Sequence, residues 1–154
     1  MKRMVRNTLA LVVAGTVITV ASAFIGVKPA TKPVAIKVYK TPECGCCKAW
    51  VKHLRANGFV VETMDMPDLS LVKQKYGVKP ALQSCHTAVV NGYVIEGHVP
   101  ADLIARMLKE RPAIAGLAVP GMPSGSPGME GALKQQYEVL TFDRAGHSRV
   151  YARR

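Results

Sequence analysis

The dipeptide Asn91-Gly92, set between the runs Thr87 to Val90 and Tyr93 to Glu96, constrains this fold more than any other feature. A two-residue Asn-Gly connection selects a tight hairpin, and a tight hairpin joins antiparallel strands. Upstream, Val34 to Tyr39 alternates Val, Ile and Val between Pro33 and Pro42 and reads as a strand. Cys46 to Asn57 carries Trp50, Val51 and Leu54 at helical spacing and stops at Asn57-Gly58. Phe59 to Met64 reads as the next strand. A strand-helix-strand unit requires a parallel right-handed crossover, so the sheet must hold both senses of pairing.

Leu69 to Tyr76 reads as a short helix closed by Gly77, and Lys79-Pro80 opens a loop that carries Cys85. Pro100 stands at the first turn of a last helix through Lys109, with Leu103, Ile104, Met107 and Leu108 apolar. The order strand, helix, strand, helix, strand, strand, helix predicts an α/β fold of thioredoxin-like layout, a mixed sheet flanked by helices. Beyond residue 111 the composition changes. Gly116 to Gly131 holds five glycines and three prolines with Met122 and Met129, and reads as a structured loop or a mobile arm. Tyr137 to Phe142 and Ser148 to Tyr151 flank Asp143-Arg144-Ala145-Gly146 and predict a terminal hairpin.

The 154 residues amount to one ordinary domain, and 49% apolar residues exclude global disorder. Lys and Arg outnumber Asp and Glu by 21 to 10. Three of those cations, Lys2, Arg3 and Arg6, precede an uncharged apolar run from Leu9 to Ile25, and Ala21-Ser22-Ala23 supplies the small-x-small pattern of a cleavage site. Residues 1–23 are therefore expected to be an export signal, with an uncleaved membrane anchor as the alternative, and 24–32 a linker. Export into the periplasm places the cysteines in an oxidising, metal-exposed compartment. The remaining Lys and Arg are spread among elements with no basic block interleaved with aromatics, which argues against a nucleic-acid partner. A membrane contact is expected only if the N-terminal segment stays on.

The chemistry is concentrated in Thr41-Pro42-Glu43-Cys44-Gly45-Cys46-Cys47-Lys48, at the junction of the first strand and the first helix. Unpaired N–H groups and the positive end of the helix dipole stabilise thiolate there, with Lys48 adding a cation. Thiolate is both the nucleophile of disulfide exchange and the ligand of soft metals. Two readings compete. Cys44 and Cys47 form a C-x-x-C pair, which in this fold suggests a thiol-disulfide oxidoreductase. Cys46, however, is a thiol that simple exchange does not need, and Cys85 precedes the third strand about where thioredoxins place a proline that packs over the redox pair. Four convergent thiolates suit Cu(I), Zn²⁺ or an iron–sulfur cluster. The adjacency of Cys46 and Cys47 disfavours a closed tetrahedral zinc site and favours a polynuclear one with bridging sulfurs, which Cu(I) accepts. Lys48 stands where a haem-attachment motif requires His. Two structural disulfides are the remaining alternative.

Several motifs together carry a family resemblance: Tyr39 to Trp50 around the cysteines, Leu82-Gln83-Ser84-Cys85-His86-Thr87-Ala88, Gly92 to Asp102, Gly116 to Pro123 and Gly125 to Glu130. In this order, over residues 34 to 130, they resemble the CopG-type periplasmic copper-resistance family. The resemblance implies a thioredoxin-like domain, here 33–130, whose Cys44, Cys46, Cys47 and Cys85 bind copper, as a multinuclear Cu(I) cluster, in copper resistance. Residues 131–154 form an extension that the resemblance does not cover. Copper ions are the expected cargo, and a copper efflux system or periplasmic copper chaperone the expected partner.

Further soft or nitrogen donors surround this set. Met122 and Met129, in the Gly/Pro loop, are candidates to cap the metal site. His86 adjoins Cys85 and is a candidate ligand, although side chains alternate along a strand and the neighbour of an inward cysteine is expected to point away. Met64 and Met66 are expected to pack, His98 to serve the turn before Pro100, and His53 and His147 to lie on the surface. Trp50 and Tyr93 are expected in the core.

Overall fold

The computed structural model describes residues 33–154. The expected export segment and linker lie outside them, and no helix among the described residues is long and apolar enough to cross a membrane. The chain runs β1 (Val34–Lys40), α1 (Gly45–Ala56), β2 (Phe59–Asp65), α2 (Ser70–Lys75), a 3-10 turn (Pro80–Leu82), β3 (Thr87–Val90), β4 (Tyr93–Glu96) and α3 (Ala101–Glu110). It continues with β5 (Gly116–Ala118), β6 (Glu138–Phe142) and β7 (Ser148–Arg153). The seven strands form one sheet in the order β2-β1-β3-β4-β5-β6-β7. β1 and β2 are parallel and β3 and β4 antiparallel, so the crossover and the hairpin both stand as expected.

Asn91 (φ 46°) and Gly92 (φ 85°) both take the positive φ that the tight turn requires. α1 ends because Gly58, at φ 85°, turns the chain back into β2. α3 ends at Arg111, a left-handed residue directly before Pro112, which cannot continue a helix.

Alternate residues of the strands feed two cores. Trp50 and Leu54 of α1 and Ile104 and Met107 of α3 pack with Ile36, Val38, Ile95 and Leu117 on one face of the sheet. Val94 and Ala118, the neighbours of Ile95 and Leu117, point the other way and pack with Val78, Leu82 and Phe142. Trp50 is fully buried, and its indole N–H donates to Val99 O at 2.9 Å.

The Gly/Pro segment departs from expectation at its first residues. Gly116–Ala118 is not loop but β5, paired parallel to β4 with Gly116 opposite Val94. Three residues are too few to show a period, and the glycine that reads as a loop signal is what lets the strands meet: a Cβ at Gly116 would run into the Val94 backbone. The terminal hairpin is present as β6 and β7, and it extends the same sheet through β5. Met64 is exposed rather than packed, because β2 is an edge strand whose second half faces solvent.

Candidate metal centre

β1 and β3 are antiparallel neighbours with Tyr39 opposite Thr87. The segment leaving β1 and the segment entering β3 therefore lie side by side at one end of the sheet. The first carries Cys44, Cys46 and Cys47, and the second carries Cys85. Cys44 is the N-cap of α1, and its sulfur accepts the Cys47 N–H at 3.2 Å. Cys46 and Cys47 occupy the first turn, where no acidic side chain offsets the positive helix end. The Cys44 and Cys47 sulfurs are joined as a disulfide. Cys46 and Cys85 are free thiols; Cys46 Sγ lies 3.5 Å from Cys44 Sγ and 4.0 Å from Cys85 Sγ. All four sulfurs fall within 4.8 Å of one another. Cys47 is fully buried and the other three are half-buried. Burial pushes the Cys85 thiol up to about 12, with the neighbouring Cys46 sulfur adding to the effect.

Two imidazoles border Cys85. His86 Nδ1 is 3.3 Å and His98 Nε2 3.0 Å from its sulfur, and both rings are fully buried. His86 lies against Trp50 with ring centroids 4.3 Å apart and meets His98 edge-on at 5.0 Å. Burial lowers both histidines from their ordinary value. His86 thus faces the cysteine instead of pointing away. Cys85 and His86 precede β3 and have no strand geometry, so the alternation rule does not apply to them.

His98 is the site residue that sequence reasoning missed, having assigned it to the turn before Pro100. A signal was available: continuing the hairpin register past the Thr87–Glu96 pair sets His98 opposite Cys85. His53 is also not a plain surface residue. It is half-buried, and its Nε2 accepts the Ala101 N–H at 3.1 Å, supplying an acceptor to the first turn of α3. His147 is exposed in the terminal turn, as expected.

The Gly/Pro loop covers the site. Pro127 O accepts from His98 Nδ1 at 2.8 Å. Gly128 (φ 85°) rests on α1 so closely that a Cβ there would lie 2.7 Å from Cys46 O and 2.8 Å from Trp50 N. Met129, next in the chain, is half-buried on this loop, and Met122, nearer its start, is 53% exposed.

A buried carboxylate fixes the Cys85 segment from behind. Glu96, fully buried, accepts from Ser84 N at 2.7 Å, from Thr87 Oγ1 at 2.7 Å and from Lys73 Nζ at 2.5 Å. The first two donors bracket Cys85 and His86. Burial raises the Glu96 carboxyl from its ordinary value, against the pull of the Lys73 ammonium and the neutral donors.

Four sulfurs and two imidazoles in one half-buried cluster are soft and borderline donors, and they fit a thiophilic metal such as copper. Fold and site together define a mixed α/β domain with a metal-binding cysteine cluster at the start of its first helix. Residues 82–129 match a family described as a protein of unknown function, DUF411. Two solved structures of a copper resistance protein, copG, in forms 2 and 1, match with TM-scores of 0.76 and 0.75. Each is 48% identical to this chain and covers 80% of it, while the chain covers 99% and 98% of theirs. Among curated proteins none matches. The chain belongs to the CopG copper-resistance family.

Proposed function

We propose that this chain is a periplasmic copper-binding protein of copper resistance, holding Cu(I) through the thiolates of Cys44, Cys46, Cys47 and Cys85 as a multinuclear cluster. The observation that carries the reading is the convergence of all four sulfurs from two segments. Sulfurs of adjacent residues, Cys46 and Cys47, favour shared, bridged metal ions over one closed tetrahedral ion. The 48% identity to a copper resistance protein supports copper as the cargo. Lys2, Arg3, Arg6 and the apolar run after them support export, and the element order supports a thioredoxin-like core. Met122 and Met129 are further soft donors on the covering loop. A copper efflux system or a periplasmic copper chaperone would exchange the metal.

The Cys44–Cys47 pair gives the site a redox step. Forming the S–S bond removes two electrons from two thiolates, and two Cu(II) ions accept them to become two Cu(I). Thiol exchange with an external dithiol, which is itself oxidised to a disulfide, would supply two electrons and two protons and restore the two thiols and the metal-holding state. The disulfide also favours a second reading, thiol-disulfide exchange with Cys44 attacking and Cys47 resolving.

The test is a titration of reduced, oxygen-free protein with Cu(I) against a competing chelator, with copper content and free thiols measured on the same sample. More than one copper per chain and loss of retention in each Cys→Ser variant are expected. Copper surrendered to a mild chelator, or retention unchanged in all four variants, would overturn the reading. Insulin reduction that survives Cys85→Ser while copper binding was never present would establish the exchange reading instead.

A further inference from the structure

The outer side of α1 carries charge that the helix does not need for its own stability. Lys48, Lys52 and Arg55 are exposed and recur at helical spacing, so they form one strip along the helix. Arg55 is accounted for: it sits in the last turn, where the helix dipole favours a cation, and it donates to Val61 O at 3.1 Å. Lys48 and Lys52 are not. Lys48 stands in the first turn, beside the positive end of the dipole, and Lys52 follows it four residues on, so both placements oppose helix formation. α1 has no acidic residue, and from Thr41 to Ala56 Glu43 alone stands against three cations. Arg106, Arg153 and Arg154 on the other exposed surfaces are paired with Glu110, Glu138 and Asp102, whereas Lys48 and Lys52 have no carboxylate partner among the described residues.

The strip begins at the metal centre, directly after Cys46 and Cys47. The Gly/Pro loop closes over one side of α1, with Gly128 against Cys46 O and Trp50 N. Helical spacing sets Lys48 and Lys52 on the side away from that loop, and both are exposed there. Soft ligands carry Cu(I) through water, and thiolates are prominent among them. Two thiolates on one Cu(I) leave a net negative charge, to which carboxylates on the carrier add. We propose that Lys48 and Lys52 steer a small anionic thiolate complex of Cu(I) to the cysteine cluster. The transfer is a ligand exchange: the carrier's Cu–S bonds break, Cu–S bonds to the cysteines form, and the released carrier thiolates take up the protons that the cysteine thiols give up. No electron moves. The lysines do not touch the metal; a one-signed field beside the site raises the rate of encounter with a carrier of opposite charge.

This inference rests on the copper reading and names the form in which the metal arrives. Reduced, oxygen-free protein is mixed with Cu(I) complexed by mercaptopropionate, whose complex is an anion, or by cysteamine, whose complex is a cation; the donor atom is sulfur in both. Loading is followed by stopped-flow fluorescence of Trp50, the chain's single tryptophan, which packs at the site against His86. At about 0.01 M salt, Lys52→Glu is expected to slow loading from the mercaptopropionate complex by roughly 3–10-fold and to speed loading from the cysteamine complex. Both differences are expected to vanish at about 1 M salt, where the screening length falls to about 3 Å, and Lys52→Arg to keep the rates of the unaltered chain. A change of the same sign with both carriers, or no change with either, overturns the steering alone. An unaltered chain that takes copper from neither carrier overturns the copper reading, and the steering with it.

Discussion

Gly128→Ala probes how closely the Gly/Pro loop is held to the cysteine helix, and Gly58→Ala provides its control. Both glycines have φ 85°, so both alanines meet the same left-handed penalty of about 1–2 kcal/mol. They differ in their surroundings. A Cβ at Gly58 meets nothing within 4 Å, whereas one at Gly128 lies 2.7 Å from Cys46 O and 2.8 Å from Trp50 N. Both of the latter are backbone atoms of α1, so no side chain can rotate away. Reaching ordinary contact at 3.4 Å moves the loop outward by about 0.7 Å, which stretches the 2.8 Å bond from His98 to Pro127 O. Overpacking of this kind costs about 1–3 kcal/mol, so Gly128→Ala should be destabilised by about 2–5 kcal/mol and Gly58→Ala by about 1–2. Denaturant unfolding of the metal-free protein measures both, and the unfolding slope m should not change. Equal losses in the two variants would refute the steric reasoning, because the backbone conformation would then account for the whole effect.

Other consequences are equally direct. Glu96→Gln leaves the Lys73 ammonium buried without its carboxylate and should cost about 3–5 kcal/mol in denaturant unfolding, with Lys73→Met in the same chain recovering most of it; no recovery would mean that the Ser84 and Thr87 bonds matter and the charge does not. Trp50→Phe leaves Val99 O without its donor, a loss of about 1–3 kcal/mol for the bond alone, to be read from the unfolding midpoint. Acid should weaken the metal-free fold. His53, His86 and His98 are all lowered by burial, so below the unfolded value of about 6.5 the unfolded chain binds protons that the folded chain does not. Their contribution is intact above that pH and is lost as pH falls towards the folded values, so midpoints should drop from pH 7.5 to 5.5, and a flat profile would contradict the burial.

What could be read from the sequence was whatever a short range of residues decides. Asn91-Gly92 sets its own turn, and Gly58 stops α1 by its own conformation, so the hairpin and the crossover needed no knowledge of the rest of the chain. The cysteine cluster was legible because three of its members share one helix start. β5 was not, since three residues with a glycine form a strand only because β4 lies beside them. His98 was legible in part: the register set by the Asn91-Gly92 turn continues to place it opposite Cys85, but the carbonyl that orients its ring lies 29 positions away and is not local. The orientation of His86 failed on a rule of strands applied just outside one.

The terminal hairpin gains a meaning from its place in the sheet. β5 and β6 are adjacent and antiparallel, with Ala118 opposite Leu140, so the Gly/Pro segment leaves the sheet and returns to it at neighbouring points. It is a closed excursion of about twenty residues, and closing such a loop costs roughly 2–3 kcal/mol of chain entropy. β6 and β7 are what meet that cost, holding the far end where β5 holds the near one. The last strands, remote in sequence from every cysteine, act as the tether that keeps a carbonyl within reach of an imidazole at the metal centre.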